Sequence, residues 1–298
     1  MKKFFSVNVN KYVEELNFEV YYPASLDYPR DHSVTFLTVQ NIKRSCIFEE
    51  CINCLIFWPQ DYRVPESIKT KKHAIILCSD PHLRFCQFFK ENAIDNTPVK
   101  EKYRLEGGAY ICENAQIGKN VLIQPGAYIS GETFIGNNSY IGCGTKIIGK
   151  VTIGENVVIR ENSVIGADGL TTDRDEAGVP VKMPQFGGVI IEKNVTIGSN
   201  AVIARGAIDD TIIGSETSVD NCVFISHNVQ VGKRVFIVGE SILFGSSKVG
   251  DNTFISGNST IRNGVQIGHD VLIGMGAVVT RNIDDWMAVK GNPAKEFL

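Results

Sequence analysis

The sequence predicts a mainly β protein: a parallel β-helix preceded by a small α/β domain and closed by a short cap. Two observations carry this. Aliphatic residues recur at every sixth position through most of the chain beyond residue 110, and all 28 glycines fall after residue 106. A six-residue rhythm fits neither the 3.6-residue period of a helix nor the two-residue period of a simple strand, but it suits a solenoid with flat sides.

Isoleucine occupies positions 111, 117, 123, 129, 135, 141, 147, 153, 159 and 165. The rhythm resumes at Ile191, Ile197 and Ile203, slips by four, and then runs every six residues from Ile213 through Val219, Ile225 and Val231 to Val279. The residue four beyond each of the first nine isoleucines is small or β-branched, from Ala115 to Ser163. Each hexapeptide is therefore expected to be one side of a prism. Its large aliphatic residue points inward, its small neighbour lies near a corner, and glycine or asparagine takes the positive φ of the turn. Three such sides make one coil, which stacks residues 18 apart in sequence at about 4.8 Å.

Residues 1–106 hold nine of the sixteen phenylalanines and five of the eight cysteines, and they read as a compact α/β domain. Ala74–Cys78 predicts a buried strand. Asp80 predicts the cap of a helix from Pro81 through Asn92, with Leu83, Phe85, Phe88 and Phe89 on its apolar face. The β-helix is expected over 107–283, with an excursion at 166–188, and the cap over 284–298. Cys46, Cys51, Cys54 and Cys78 have the spacing of an iron–sulfur site. Their flanks, Ile47, Phe48, Ile52, Leu55, Ile56 and Phe57, belong in a core, which favours reduced structural thiols.

Composition excludes several classes. The charge balance, 30 basic against 33 acidic residues with no basic block, argues against a nucleic-acid surface. No apolar run approaches the length of a membrane span, and the start turns polar before a secretory core forms, so a cytoplasmic protein is expected.

Function is expected where the rhythm breaks. The larger break is 166–188, which must leave the prism and is expected to cover a substrate or reach a neighbouring subunit. The smaller is Arg205–Thr211, a bulge at one corner. Next comes His227, beside a corner-type residue, where an outward imidazole can take a proton near neutral pH. Gly245, eighteen residues on, falls one coil above it and offers a backbone N–H to a developing oxyanion. Asp220, seven residues earlier, is expected to orient the imidazole from around the corner. The solenoid histidines, His227 and His269, are too few for a three-histidine zinc centre, so no metal is expected.

Residues 181–232 resemble the UDP-3-O-acylglucosamine N-acyltransferases, hexapeptide-repeat enzymes of the lipid A pathway. The matching words are Val181-Lys182-x-Pro184-Gln185, Arg205-Gly206-Ala207-x-Asp209-Asp210-Thr211-x-Ile213-Gly214, Asp220-Asn221 and His227-Asn228. The resemblance implies a left-handed winding and makes His227 the general base, with Asp220 and Gly245 as its partners. It implies that Lys182, Gln185, Asn221 and Asn228 bind substrate, and that the N-terminal domain holds a nucleotide. There, in Leu55-Ile56-Phe57-Trp58-Pro59, Phe57 or Trp58 is the candidate to stack on the base. The end of the chain, with Val289-Lys290-Gly291-Asn292-Pro293-Ala294-Lys295, is instead similar to coenzyme A-dependent sugar acetyltransferases, which makes Lys290 and Lys295 candidates for the coenzyme phosphates.

With these features, the resemblance implies a homotrimeric N-acyltransferase. Its donor is an acyl-CoA, acetyl or longer, used as a co-substrate with no permanently bound cofactor. Its acceptor is the amine of a nucleotide-linked amino sugar. Three alternatives stay open: a long-chain enzyme using acyl carrier protein, a sugar O-acetyltransferase, and a scaffold that binds a nucleotide sugar without catalysis.

Overall fold

The computed structural model describes residues 3–95 and 100–296, so the first two residues of the polar start and the last two of the expected cap lie outside the described residues. The chain divides into two compact units. One comprises Met1–Thr97 with Leu170–Phe186, and the other Pro98–Gly169 with Gly187–Leu298.

The first unit is built on a four-stranded parallel sheet, Tyr22–Pro23, Ser33–Phe36, Leu55–Pro59 and Ala74–Cys78, in sequential order. The helix Pro81–Glu91 starts where the sequence expects it, with the Asp80 carboxylate accepting the Leu83 N–H at 3.0 Å. Its Phe85, Phe88 and Phe89 are fully buried. The excursion folds with this unit as an antiparallel hairpin of Thr172–Arg174 and Pro180–Lys182. The Phe186 ring lies 5.2 Å from those of Phe4 and Phe89, and His82 Nδ1 meets Asp173 Oδ2 at 2.6 Å. Those contacts explain why residues 170–186 group here and not with the solenoid that the sequence interrupts. The division also falls at 97/98 rather than 106, because Tyr103–Glu106 pairs with the solenoid strand Ala109–Cys112.

The thiols of this unit are free. Cys51, Cys54 and Cys86 are buried, Cys78 is half-buried and Cys46 is exposed. The hydrogen bond from Cys51, then burial, push the Cys54 thiol up, and burial pushes Cys86 up to about 12, so both stay protonated near neutrality.

His73 gives this unit a pH dependence. It is buried, its Nδ1 accepts the Cys54 N–H at 3.1 Å, and Nε2 therefore carries the proton and donates to the Phe48 carbonyl at 3.0 Å. Burial holds its pKa below the ordinary imidazole value. The unfolded chain thus binds more protons once the pH drops through the ordinary histidine range near ~6.5. Stability is fully present above that range and is lost as pH falls toward the folded-state pKa. Melting temperature is expected to decline between about pH 7.5 and pH 5.5, and to decline less in His73→Gln. Equal declines would remove this role.

The second unit is a three-sided parallel solenoid. Its first face is a ten-stranded sheet from Leu122–Ile123 to Ala288–Lys290 and Lys295–Glu296. Its second, also of ten strands, runs from Tyr103–Glu106 to Val278–Val279, and its third, of eight, from Gln116–Ile117 to Gln266–Ile267. The register has the expected coil length: Ile111 pairs with Ile129 and Ile129 with Ile147, each 18 residues on. Across the excursion the offset becomes 38 (Ile153 with Ile191), and across the second break it is 22 (Ile191 with Ile213). The extra residues leave the ladder without shifting it.

Of the 25 predicted inward residues, 23 are buried; Ile117 and Ile123 are half-buried because their sheets begin at those strands and no coil lies beneath them. The small polar residues near the corners close hydrogen bonds between coils. Ser163 Oγ donates to the Gly198 carbonyl at 2.7 Å and accepts the Ala201 N–H at 3.2 Å, and Thr217 Oγ1 serves Gly232 and Val235 in the same way. Asparagines at 120, 138, 156, 162, 194, 200, 228, 252 and 258 take the positive φ of the turns. At the end of the solenoid, Ala288–Lys290 extends the first face, and Ala294 N–H donates to the Val278 carbonyl at 2.8 Å.

Candidate active site

His227 sits at the corner between the second and third faces, two residues past the buried Ile225. Its backbone is fixed from above, because Ser246 N–H donates to the His227 carbonyl at 2.9 Å. Its half-exposed side chain points out of the prism.

The ring is oriented by its neighbour. Asn228 Oδ1 accepts the Ala207 N–H at 2.9 Å while Asn228 Nδ2 donates to the Asp209 carbonyl at 3.1 Å, which together fix the amide's orientation. The same oxygen lies 3.1 Å from His227 Nδ1. An oxygen cannot donate, so Nδ1 carries the proton and Nε2 presents its lone pair. The bulge at 206–209 therefore serves the imidazole through Asn228. Asn228, expected to bind substrate, spends Oδ1 and one Nδ2–H on contacts within the protein. Asn228→Ala removes these bonds and places alanine at φ 60°, so a loss of about 2–4 kcal/mol is expected in denaturant unfolding. A loss below about 0.5 kcal/mol would show the bulge holding itself.

Gly245 lies where the coil count puts it. A Cβ there would come within 2.5 Å of His227 Cε1 and 2.6 Å of Nε2, so its backbone lies against the tip of the ring. Its N–H meets no acceptor among the described residues. A lone pair on Nε2 beside an unengaged amide N–H is suited to removing a proton from a nucleophile while stabilising an adjacent oxyanion.

Asp220 does not orient His227 within the chain. Seven residues carry it back to the corner between the first and second faces, where Oδ1 accepts from Asn221 N–H at 2.7 Å and Asn221 Nδ2 at 3.0 Å, and Oδ2 from Gly239 N–H at 3.1 Å. Asn221 Oδ1 in turn accepts the Ser199 N–H at 2.7 Å. These two residues border a depression of about 370 Å³ on the first face, with Arg160, Ser218 and Phe236.

The other candidates divide between the units. Phe57 and Trp58 are fully buried in the central strand of the first unit, and Trp58 Nε1 donates to the Tyr62 carbonyl at 2.8 Å, so neither ring is presented to a base. The half-exposed ring at the carboxyl end of that parallel sheet is Phe36, 5.0 Å from the His82 imidazole. Open parallel sheets bind ligands at that edge. Lys182 is exposed on the excursion hairpin, whereas Gln185 is buried and donates to the Met183 carbonyl at 3.1 Å, a bond internal to the excursion. In the second unit Lys290 and Lys295 are exposed cross-strand partners, which sets two ammonium groups on one short hairpin.

Two motif residues not singled out as site residues have structural work. Arg205 Nε donates to the Gly187 carbonyl at 2.8 Å, and Asp210 Oδ1 accepts the Gly188 N–H at 2.6 Å and Lys150 Nζ at 2.8 Å. They anchor the chain where it re-enters the solenoid. Among the described residues no cluster of three His, Cys, Asp or Glu side chains suits a metal ion, and no helix is long and apolar enough to cross a membrane.

Comparison with known proteins defines the class first. Residues 132–167 and 246–281 match the bacterial transferase hexapeptide (six repeats), and residues 188–226 match the hexapeptide repeat of succinyl-transferase. Solved structures share the solenoid: the UDP-N-acetylglucosamine acyltransferase of Campylobacter jejuni (TM-score 0.58, 26% identity, 65% of this chain and 74% of that one) and that of Bacteroides fragilis (TM-score 0.59, 25% identity, with the same coverage). The fold is the left-handed parallel β-helix.

More particularly, part of the chain is similar to the UDP-3-O-acylglucosamine N-acyltransferases. It is 48% identical to that of Coxiella burnetii over 90 residues and 51% identical to that of Francisella tularensis subsp. holarctica over 79 residues. These segments make up 30% and 26% of this chain, and the chain spans only 26% and 23% of the length of those relatives.

Proposed function

We propose that this protein is an N-acyltransferase that moves a short acyl group from acyl-CoA to the amine of a nucleotide-linked amino sugar. The single observation that carries this reading is the juxtaposition of His227 Nε2 with the Gly245 backbone. The likeness to enzymes named for N-acylation of a UDP-linked glucosamine supplies the substrate class.

The amine attacks the thioester carbonyl as the neutral species. His227 Nε2 takes the proton that the nitrogen loses as the C–N bond forms, and the Gly245 N–H holds the tetrahedral oxyanion. Collapse breaks the C–S bond, and the imidazolium returns its proton to the departing thiolate. Asn228 keeps the ring in the tautomer this needs. The working unit is a homotrimer with active sites in clefts between prisms. Lys290 and Lys295 suit the coenzyme phosphates, and Phe36 replaces Phe57 and Trp58 as the ring for the uracil or thymine base.

The test is a thiol-release screen. Acetyl-CoA, longer acyl-CoAs and a hydroxyacyl carrier protein are each offered with UDP- and dTDP-linked amino sugars. Release is expected only with an amine acceptor and to be fastest with a short acyl-CoA, giving a product stable to mild base. Release from the carrier protein alone would shift the reading to the long-chain enzyme that the matched relatives suggest. A base-labile product would mean O-acylation, and no release with any pair would leave a nucleotide-sugar-binding scaffold.

A further inference from the structure

We propose that Gly169 is a positioning residue that clamps the His227 side chain; its catalytic consequence rests on His227 being the base proposed above. Ile165 pairs with Ile203 and Ile203 with Ile225, and after a register shift Ala167 pairs with Ala204, so the last laddered residue of the excursion stem lies two coils beneath the turn that begins at Ser226. Beyond Ala167 the chain leaves the ladder, and Gly169 abuts the imidazole. A Cβ on Gly169 would stand 2.7 Å from His227 Cβ, 3.0 Å from Cδ2 and 3.1 Å from Cγ. Gly245 meets the opposite end of the side chain, at Cε1 and Nε2. The two glycines come from separate parts of the chain, and they confine the ring at its stem and at its tip while Asn228 holds Nδ1.

Conformation is not the reason for glycine at 169. Its φ lies outside the left-handed region, unlike that of Gly178 at the hairpin tip (φ +76°), which faces open space. What position 169 lacks is room. The stem of the excursion is thus part of the catalytic corner, and a side chain there displaces the base.

The test is a double-mutant cycle in the full-length protein, read by melting temperature, by the His227 imidazole NMR signal and by turnover. Gly169→Ala is expected to lower the melting temperature, shift the His227 signal (assigned by its loss in His227→Ala) and reduce kcat at least about 10-fold with KM within about 2-fold. In a His227→Gly background, which removes the Cβ, Cγ and Cδ2 that the new methyl would meet, the same substitution has space, so it is expected to lower the melting temperature far less. This arm stays informative even where Gly169→Ala alone folds poorly. Gly178→Asn, at the excursion tip, is expected to change neither signal nor kcat. Equal destabilisation in both backgrounds, or an unmoved His227 signal, would overturn the clamp. A moved signal with full turnover would overturn its catalytic role, whereas full turnover in His227→Ala would overturn the base itself and leave the clamp standing.

Discussion

Replacing His227 by alanine is expected to lower kcat about 100- to 10,000-fold, the usual contribution of a positioned general base. The structure gives reasons to expect a clean loss. The described residues above it in the corner column, Gly245 and Asn263, offer no spare base. The ring is also half-exposed rather than part of the aliphatic core, so its removal leaves the interior intact. KM is expected to change little, since the proton moves only as the amine attacks. Steady-state thiol release with the preferred substrate pair checks this, and turnover within a few-fold of wild type would assign the proton transfer to the substrate's own groups.

Gly245→Ala is expected to have the second-largest effect, about 100-fold in kcat, by a different route. The backbone there does not need glycine's freedom, because its φ lies outside the left-handed region. The new methyl, however, would lie 2.5 Å from His227 Cε1 and 3.0 Å from Asn263 Oδ1, so the imidazole must move off the amide. The two substitutions should therefore not add: once His227 is alanine, Gly245→Ala is expected to cost little more. Measuring kcat for both single variants and the double variant checks this. Losses that multiply would mean that Gly245 acts apart from the imidazole.

Much of this was legible in the sequence because a solenoid turns linear spacing into spatial stacking. Counting by six identified the core, and counting by 18 placed Gly245 over His227. Asp220 lies seven residues back, just over one side, and the contacts that occupy it at the preceding corner, with Asn221 and Gly239, are not visible in that spacing. The uninterrupted apolar run Leu55-Ile56-Phe57-Trp58-Pro59 was the signature of a strand buried on both faces, which is why its rings are unavailable to a base. Asn228 was recognisable as a corner asparagine, but not its grip on Ala207 and Asp209, which depends on the local geometry of the bulge. Gly169 carried no signal at all. It lies where the ladder is interrupted, so no register links it to position 227.

The most direct measurement is the pH dependence of kcat for amide formation in the wild type and in His227→Gln, a substitution that keeps a polar side chain at the corner but supplies no base. Expected is a wild-type rate that falls on the acid side as one group becomes protonated, and a variant that is at least about 100-fold slower and has lost that limb. A variant that keeps both the limb and most of the rate would contradict the assignment of His227 as the base.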